Sequence, residues 1–312
     1  MPINSQKIDV HHHIVPKEYL KALASVGVKN AVGEPFPQWD IENTLSFMDR
    51  QGIALALTSI SAPGIFFGDS DFTQKLARQC NEISARIVSE YPNRFGAFAI
   101  LPLPDIEASL VELDYALDTL KLDGVTLLTN IGGIYIGDTH YEELFTELNR
   151  RKVVVFVHPS VPPLDTLPMI IKPAVLEFVF DTTRAIANLI HRGAAKRFPN
   201  IRFIFSHAGG TAPFITWRIT FGNKKIIDQL KNFYYDTAVS ATPYTLSSLL
   251  NLVESKQVLF GSDYPFLPER AVNQMNKGFE NYDFDAETRI KILRENALAL
   301  FPRFKQIIFE KQ

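Results

Sequence analysis

Ile8-Asp9-Val10-His11-His12-His13 joins a short apolar run of strand length to a histidine triplet. Whether that junction is an accident of the surface or the end of a buried strand decides the fold, and the rest of the chain repeats the pattern. Phe156-Val157-His158-Pro159, Phe205-Ser206-His207 and Gly261-Ser262-Asp263-Tyr264 each place a histidine or an aspartate where an apolar run finishes. Short β-branched runs followed by longer stretches of helical spacing read as strands alternating with helices.

On this reading, strands are expected over residues 8–12, 53–60, 95–101, 124–128, 153–157, 201–206, 233–237 and 258–261. Helices are expected over 71–90, 106–120, 141–151, 173–198, 212–230, 245–254 and 286–300. The strands are continuously apolar rather than alternating, which suits parallel strands covered on both faces. The prediction is an α/β chain folded as a (β/α)8 TIM barrel; a doubly wound open sheet is the other arrangement that the alternation allows. With 312 residues, 46% of them hydrophobic, the chain can bury one large core, and no linker or repeat divides it. Residues 1–312 are therefore expected to form a single domain. The stretch 27–38, with Gly33, Pro35 and Pro37, is expected as a long loop that covers a site.

Charged residues make up 21% of the chain, the formal net charge is −2, and both signs are mixed along it. That distribution argues against nucleic acid or a charged membrane surface as partner. The N-terminus lacks the apolar stretch of a secretory signal, and apolar runs such as 153–157 fall far short of the roughly 18 residues of a membrane span. A single cysteine, Cys80, permits neither an internal disulfide nor a thiolate cluster. A metal would have to be held by histidines and carboxylates, and a cytoplasmic location is expected.

Barrel enzymes build their sites at the C-terminal ends of the strands. Period two along a strand sets His11 and His13 on one side and His12 on the other, so the first two are expected to point into the barrel mouth and His12 to be a bystander. Imidazoles with a carboxylate suit zinc, iron or manganese, and three protein ligands with an open position mark a catalytic site. His11, His13 and His158 supply three such groups, and Asp263 is placed to bind the ion or a group bound to it. Each residue alone has a plainer reading: a surface triplet, a core histidine, a turn-forming aspartate. Four such accidents at one end of one barrel make the less economical account. His207 opens the turn Ala208-Gly209-Gly210-Thr211, whose glycines let backbone approach a ligand and offer N–H groups to an anion; it is a candidate ligand or general acid/base. His140 and His191 lie away from strand ends and are expected to be solvated.

The four histidine and aspartate motifs, read in order as Ile8-Asp9-Val10-His11-His12-His13-Ile14-Val15-Pro16, Val155-Phe156-Val157-His158-Pro159, Ser206-His207-Ala208-Gly209-Gly210 and Leu259-Phe260-Gly261-Ser262-Asp263-Tyr264-Pro265-Phe266, together resemble the amidohydrolase superfamily. The resemblance is to its branch related to aminocarboxymuconate semialdehyde decarboxylase. It implies His11, His13, His158 and Asp263 as metal ligands and His207 as the catalytic histidine nearby. Where many superfamily members carry a carboxylated lysine that bridges two metals, the fourth strand here ends Leu127-Leu128-Thr129-Asn130; one divalent ion, zinc or else manganese, is implied, with no organic cofactor. Residues 122–138 and 148–152 look most like 6-methylsalicylate-type decarboxylases. Thr44-Leu45-Ser46-Phe47-Met48-Asp49 lacks the arginines that the semialdehyde decarboxylases carry before a Met-Asp pair, which favours a monocarboxylate.

The implied activity is non-oxidative decarboxylation of a small aromatic or unsaturated carboxylic acid of the hydroxybenzoate or salicylate kind. Such chemistry needs a proton for the ring carbon and a hold on the carboxylate. Asp263, or a water it shares with His207, is the expected donor; Arg218 or the Gly209-Gly210 backbone is expected to hold a peripheral oxygen. Trp39, Phe66 and Tyr264, with Phe67, Trp217 and Phe266, are candidates to sandwich a flat ring. The rival enzyme reading is a hydrolase that turns a metal-activated water on a lactone, ester or amide. A non-catalytic, metal-stabilised binding protein is a third. The branch implies a homo-oligomer, dimer or tetramer, while the apolar stripe in 301–312 is expected to pack on its own barrel or on a partner.

Overall fold

The first strand, Lys7–His13, pairs in parallel with Ile53–Ser59, and its register slips between Asp9 and His12. Strict alternation would set Val10 and His11 on opposite faces. The extra residue in the slip lets Val10 join the barrel interior with Ile8, Leu55 and Leu57 while His11 and His13 also turn inward. His12 is left on the other side, against Phe47 and Tyr264.

The computed structural model describes residues 6–163 and 171–309, with the Phe309 side chain excepted. Eight parallel strands follow one another in chain order: Lys7–His13, Ile53–Ser59, Phe95–Ile100, Gly124–Leu128, Val154–His158, Arg202–Phe205, Tyr234–Asp236 and Val258–Leu259. Beyond Leu259 the eighth segment runs on beside the first: Val10 N–H donates to the Phe260 carbonyl (3.0 Å), Asp263 N–H to the His11 carbonyl (2.8 Å) and His13 N–H to the Tyr264 carbonyl (2.7 Å). These bonds bring the sheet round into a nearly closed barrel, as expected for a (β/α)8 chain. A small antiparallel ribbon, Asn130–Ile131 with Ile134–Tyr135, decorates the loop after the fourth strand.

Alternate residues of the strands feed two apolar layers. Phe156 faces the interior with Phe98 and Ile204, while Val155 and Val157 face the surrounding helices. Both faces are therefore dry, which is why the strands read as unbroken apolar runs. The C-terminal stripe packs on its own barrel: Phe301, Phe304 and Ile308 join the interior layer, and the Phe304 ring lies against Gly96 at the start of the third strand.

Two expected helices break where the backbone turns left-handed. The helix over 173–198 ends at His191 and resumes as Ala194–Arg197 after Gly193, whose φ is 74°. The helix over 212–230 becomes Thr216–Thr220 and Lys224–Lys231, parted by Phe221 and Gly222, both at positive φ. Those over 106–120 and 286–300 run on but widen into π turns, Tyr115–Thr119 and Lys291–Glu295, and beside the second Asn296 donates to the Ser255 and Val258 carbonyls. Helices Lys17–Ser25, Ile41–Gln51 and Glu269–Asn281 had no counterpart in the sequence reading. Ile41–Gln51 nevertheless carries both stop signals, with Asp40 capping Asn43 N–H and Gly52 in the left-handed region. Among the described residues no helix is long and apolar enough to cross a membrane.

Candidate metal centre

His11, His13, His158 and Asp263 each aim one ligating atom at a common point, all four atoms lying within 4.8 Å of one another. The Nε2 atoms of His11 and His13 are 3.0 Å apart, and Asp263 Oδ1 stands 3.2 Å from the first and 3.3 Å from the second. The three histidines are fully buried and Asp263 is nearly so.

The outer nitrogens of these histidines are already engaged. His11 Nδ1–H donates to the Asp236 carboxylate at 2.8 Å, and His158 Nδ1–H donates to the Pro159 carbonyl at 2.9 Å. His13 Nδ1 meets Ser59 Oγ at 2.9 Å, and that hydroxyl is itself directed at the His12 carbonyl. Those partners place the proton on Nδ1 in each ring and turn three Nε2 lone pairs toward one another and toward an anionic oxygen. Such a set repels itself unless a cation lies among the atoms, and three imidazoles with one carboxylate are donors that a divalent transition ion accepts. The residues present therefore fit a metal.

Proton affinities reflect the same crowding. Burial works to lower the His11 pKa, but the carboxylates of Asp236 and Asp263 outweigh it and raise it to about 10. Burial lowers His13 to about 4, and burial with the neighbouring imidazoles holds His158 well below the usual histidine value. Burial favours a neutral Asp263, yet His11 and hydrogen bonds from the three nearby histidines hold it well below the usual carboxylate range.

His207 joins this group. Its ring centre lies 4.9 Å from that of His11 and 5.6 Å from that of His158; its Nε2 is 3.6 Å from Asp263 Oδ2, and its buried Nδ1 has no partner. His207, Ala208 and Asp263 all sit at positive φ, a strained conformation for non-glycine residues that tends to be kept where function needs it. Gly209 and Gly210 are required in the same turn, because a Cβ at Gly209 would lie 2.6 Å from the Tyr235 ring and one at Gly210 only 2.1 Å from the Val179 carbonyl. Their N–H groups do not present themselves to an anion: they are spent on the Ser206 and His207 carbonyls. The expectation that this backbone holds a substrate oxygen is corrected accordingly.

Two residues that the sequence reading passed over organise the site. Asp236 closes the seventh strand as Asp263 follows the eighth, and it accepts from His11 Nδ1–H, His207 N–H and Ala238 N–H. Its position at a strand end was the available signal. Asp9, fully buried, accepts from His11 N–H, from His12 Nδ1–H, and from both the N–H and hydroxyl of Ser262. It ties the slipped first strand to the loop that carries Asp263. His12 is thus no ligand but a partner in that tie.

The expected ring-binding residues are dispersed. Tyr264 stacks on Phe47 at 4.0 Å between ring centres, and Phe266 meets the His13 ring edge-on at 5.5 Å. Phe66 lines a cavity of about 380 Å³ at the ends of the third to fifth strands. Trp39 is half-buried against the core with its Nε1 unpartnered. Arg218 and Trp217 stand exposed on Thr216–Thr220 and are not brought into the histidine and aspartate group. His140 and His191 are exposed on helices away from it, each bonded to a carbonyl.

A family model described as amidohydrolase matches residues 8–303. Decarboxylase yanB of Aspergillus niger is 34% identical over 325 residues, a match covering 96% of this chain and 88% of the relative. The 6-methylsalicylic acid decarboxylase of Penicillium expansum is 34% identical over 324 residues, covering 97% and 98%. A crystal structure described as that of an amidohydrolase II superposes with a TM-score of 0.91 at 30% identity, over 95% of this chain and 99% of that one.

Proposed function

Because the chain belongs to the amidohydrolase family, we propose that it is a metal-dependent decarboxylase that removes CO2 from a small hydroxybenzoate- or salicylate-like acid. One relative named as a 6-methylsalicylic acid decarboxylase and another named as a decarboxylase, both matched over nearly the whole chain, support the reaction class. The observation that carries the reading is the convergence of the inner atoms of His11, His13, His158 and Asp263, with each outer imidazole nitrogen already held. These four residues are the proposed ligands, and zinc is the proposed ion, manganese being the alternative for the same donors. When bound, the metal supplies a Lewis acid for the negative charge on the substrate oxygens.

The chain's own residues handle the proton. An aromatic carboxylate loses CO2 only if its ring carbon receives a proton before or as the C–C bond breaks; the bonding pair then returns to the ring and CO2 leaves neutral. Asp263 is held ionised by its histidine neighbours, so His207, whose Nε2 faces Asp263 Oδ2, is the group proposed to carry the proton in, directly or through a shared water. Asp263 steadies the imidazolium. Burial of the four histidines, with only 14% of the Asp263 side chain exposed, limits the bulk water that would reach the reacting carbon. Phe266 beside His13 and Phe66 in the neighbouring cavity are proposed ring contacts, with Tyr264 and Trp39 shaping the surrounding wall.

Residues 1–312 are proposed to act as one domain, in a homo-oligomer whose contact includes the exposed aromatics Phe214, Trp217 and Phe221. Arg218 lies within that face. The lone buried Cys80 suits the reducing cytoplasm. The test is to incubate metal-loaded protein with hydroxybenzoates and with lactones while following CO2 and acid separately. CO2 with the decarboxylated arene is expected; acid release alone would overturn the proposal in favour of hydrolysis.

A further inference from the structure

At the ends of the third to fifth strands lies the cavity of about 380 Å³ that Phe66 lines, walled by Ile100, Leu103, Leu128 and Ile131 among others. Leu128 pairs in register with His158, and Thr126 with Phe156, whose ring is 5.0 Å from that of His11. Thr126 and Leu128, both in the cavity's lining, therefore stand on the same inner face of the barrel as the proposed ligand His158. Among the described residues no charged side chain and no histidine lines it.

One polar group in this apolar wall lacks a partner. Thr126 is 2% exposed, and its hydroxyl makes no hydrogen bond. A buried hydroxyl left unpaired costs about 1–3 kcal/mol; the oxygen itself is sealed from the cavity, so a turn of the Thr126 side chain toward a ligand oxygen would both expose it and remove that cost. The wall is also braced from behind. Asp181, fully buried, accepts from the Thr129 hydroxyl, the Asn130 amide and the Tyr135 hydroxyl, fixing residues 129–135 in place. The cavity is thus formed before any ligand arrives.

We infer that this cavity is a specificity subsite for the ring edge remote from the scissile carboxylate, taking a small alkyl substituent against Phe66 and Ile131 and pairing the Thr126 hydroxyl with a ring oxygen. The inference rests on the decarboxylase reading. It makes Thr126 and Ile131 determinants of which substituted acid is accepted, distinct from the residues that perform the reaction.

Ring probes in which a nitro group replaces the carboxylate bind without being decarboxylated. Calorimetric titration of metal-loaded protein would compare 2-nitrophenol with its methyl-substituted and hydroxyl-substituted forms, the best-binding isomer of each being used. Burial of one methyl group is expected to tighten binding about fourfold. Ile131→Trp, which fills the cavity from a half-buried position, is expected to erase that preference. Thr126→Val is expected to weaken the hydroxylated probe about fivefold to tenfold and to leave the methyl probe within about twofold, with Thr126→Ser restoring the loss. A methyl preference that survives Ile131→Trp, or equal weakening of every probe by Thr126→Val, would overturn the subsite. If the binding pattern appears as described while no acid yields CO2, the subsite stands and the decarboxylase reading fails.

Discussion

Asp236 accepts the Nδ1–H of His11 across 2.8 Å, with both groups fully buried. The carboxylate fixes the tautomer of the ring and aims its Nε2 at Asp263, as carboxylate partners of metal-binding histidines do. Asp236→Asn keeps the shape but removes the charge. Its expected effect is a loss of metal affinity of about 10–100-fold, read by competition with a chromophoric chelator, with an unchanged far-ultraviolet spectrum. Unaltered affinity would show that Asp236 does not orient His11.

His207 is proposed to move a proton and not to hold the ion. Replacing it by alanine should lower kcat by about 10²–10⁴-fold while metal content by atomic absorption stays at the wild-type level. Loss of the metal in that variant would make His207 a ligand instead.

Metal removal should expose a particular pH profile of stability. In the stripped protein His11 keeps its proton up to about pH 10, whereas an unfolded histidine releases it near 6.5. Between those values the folded state holds the extra proton, so stability falls as the pH rises. Below about 6.5 the unfolded chain takes up protons that His13, lowered to about 4, and His158 refuse, so stability falls as the pH drops. These groups together predict a urea midpoint that peaks near pH 6.5. Reloading the metal, which displaces the His11 proton, should flatten the alkaline limb. An alkaline limb equally steep with and without metal would contradict the assignment.

The barrel was legible because its strands are dry on both faces, so all eight announce themselves as apolar runs. The ends that build the site were legible because a histidine or aspartate interrupts four of those runs, at His11, His158, His207 and Asp263. What escaped were relations between segments. Asp9 reads as one more acid in the sequence, yet it receives hydrogen bonds from both His12 and Ser262. The register slip at Asp9 to His12 leaves no local signature, since it arises from how the first strand meets the second. Helix breaks at Gly193 and Phe221 depend on left-handed backbone that helical spacing alone does not reveal. Arg218, chosen for its charge, stands on the outer surface.

That outer surface is itself testable. Phe214, Trp217 and Phe221 are 83%, 69% and 78% exposed, an apolar cluster that water-facing segments rarely keep without a use. Trp217→Ser combined with Phe221→Ser is expected to shift the sedimentation coefficient from that of an oligomer to that of a 35.2 kDa chain. A wild-type protein already sedimenting as one chain would refute the proposed contact.

The bonds that bring Phe260, Asp263 and Tyr264 beside the first strand give the site a position in time as well as in space. Asp9 and Ser262 are 253 positions apart in the chain, so a growing polypeptide carries the first two of the proposed ion-binding side chains long before it receives the last. A captured ion would then act as a clasp between segments far apart in the chain, where the entropy of ring closure is large. Ion capture at the proposed site would consequently record that the last strand has closed against the first.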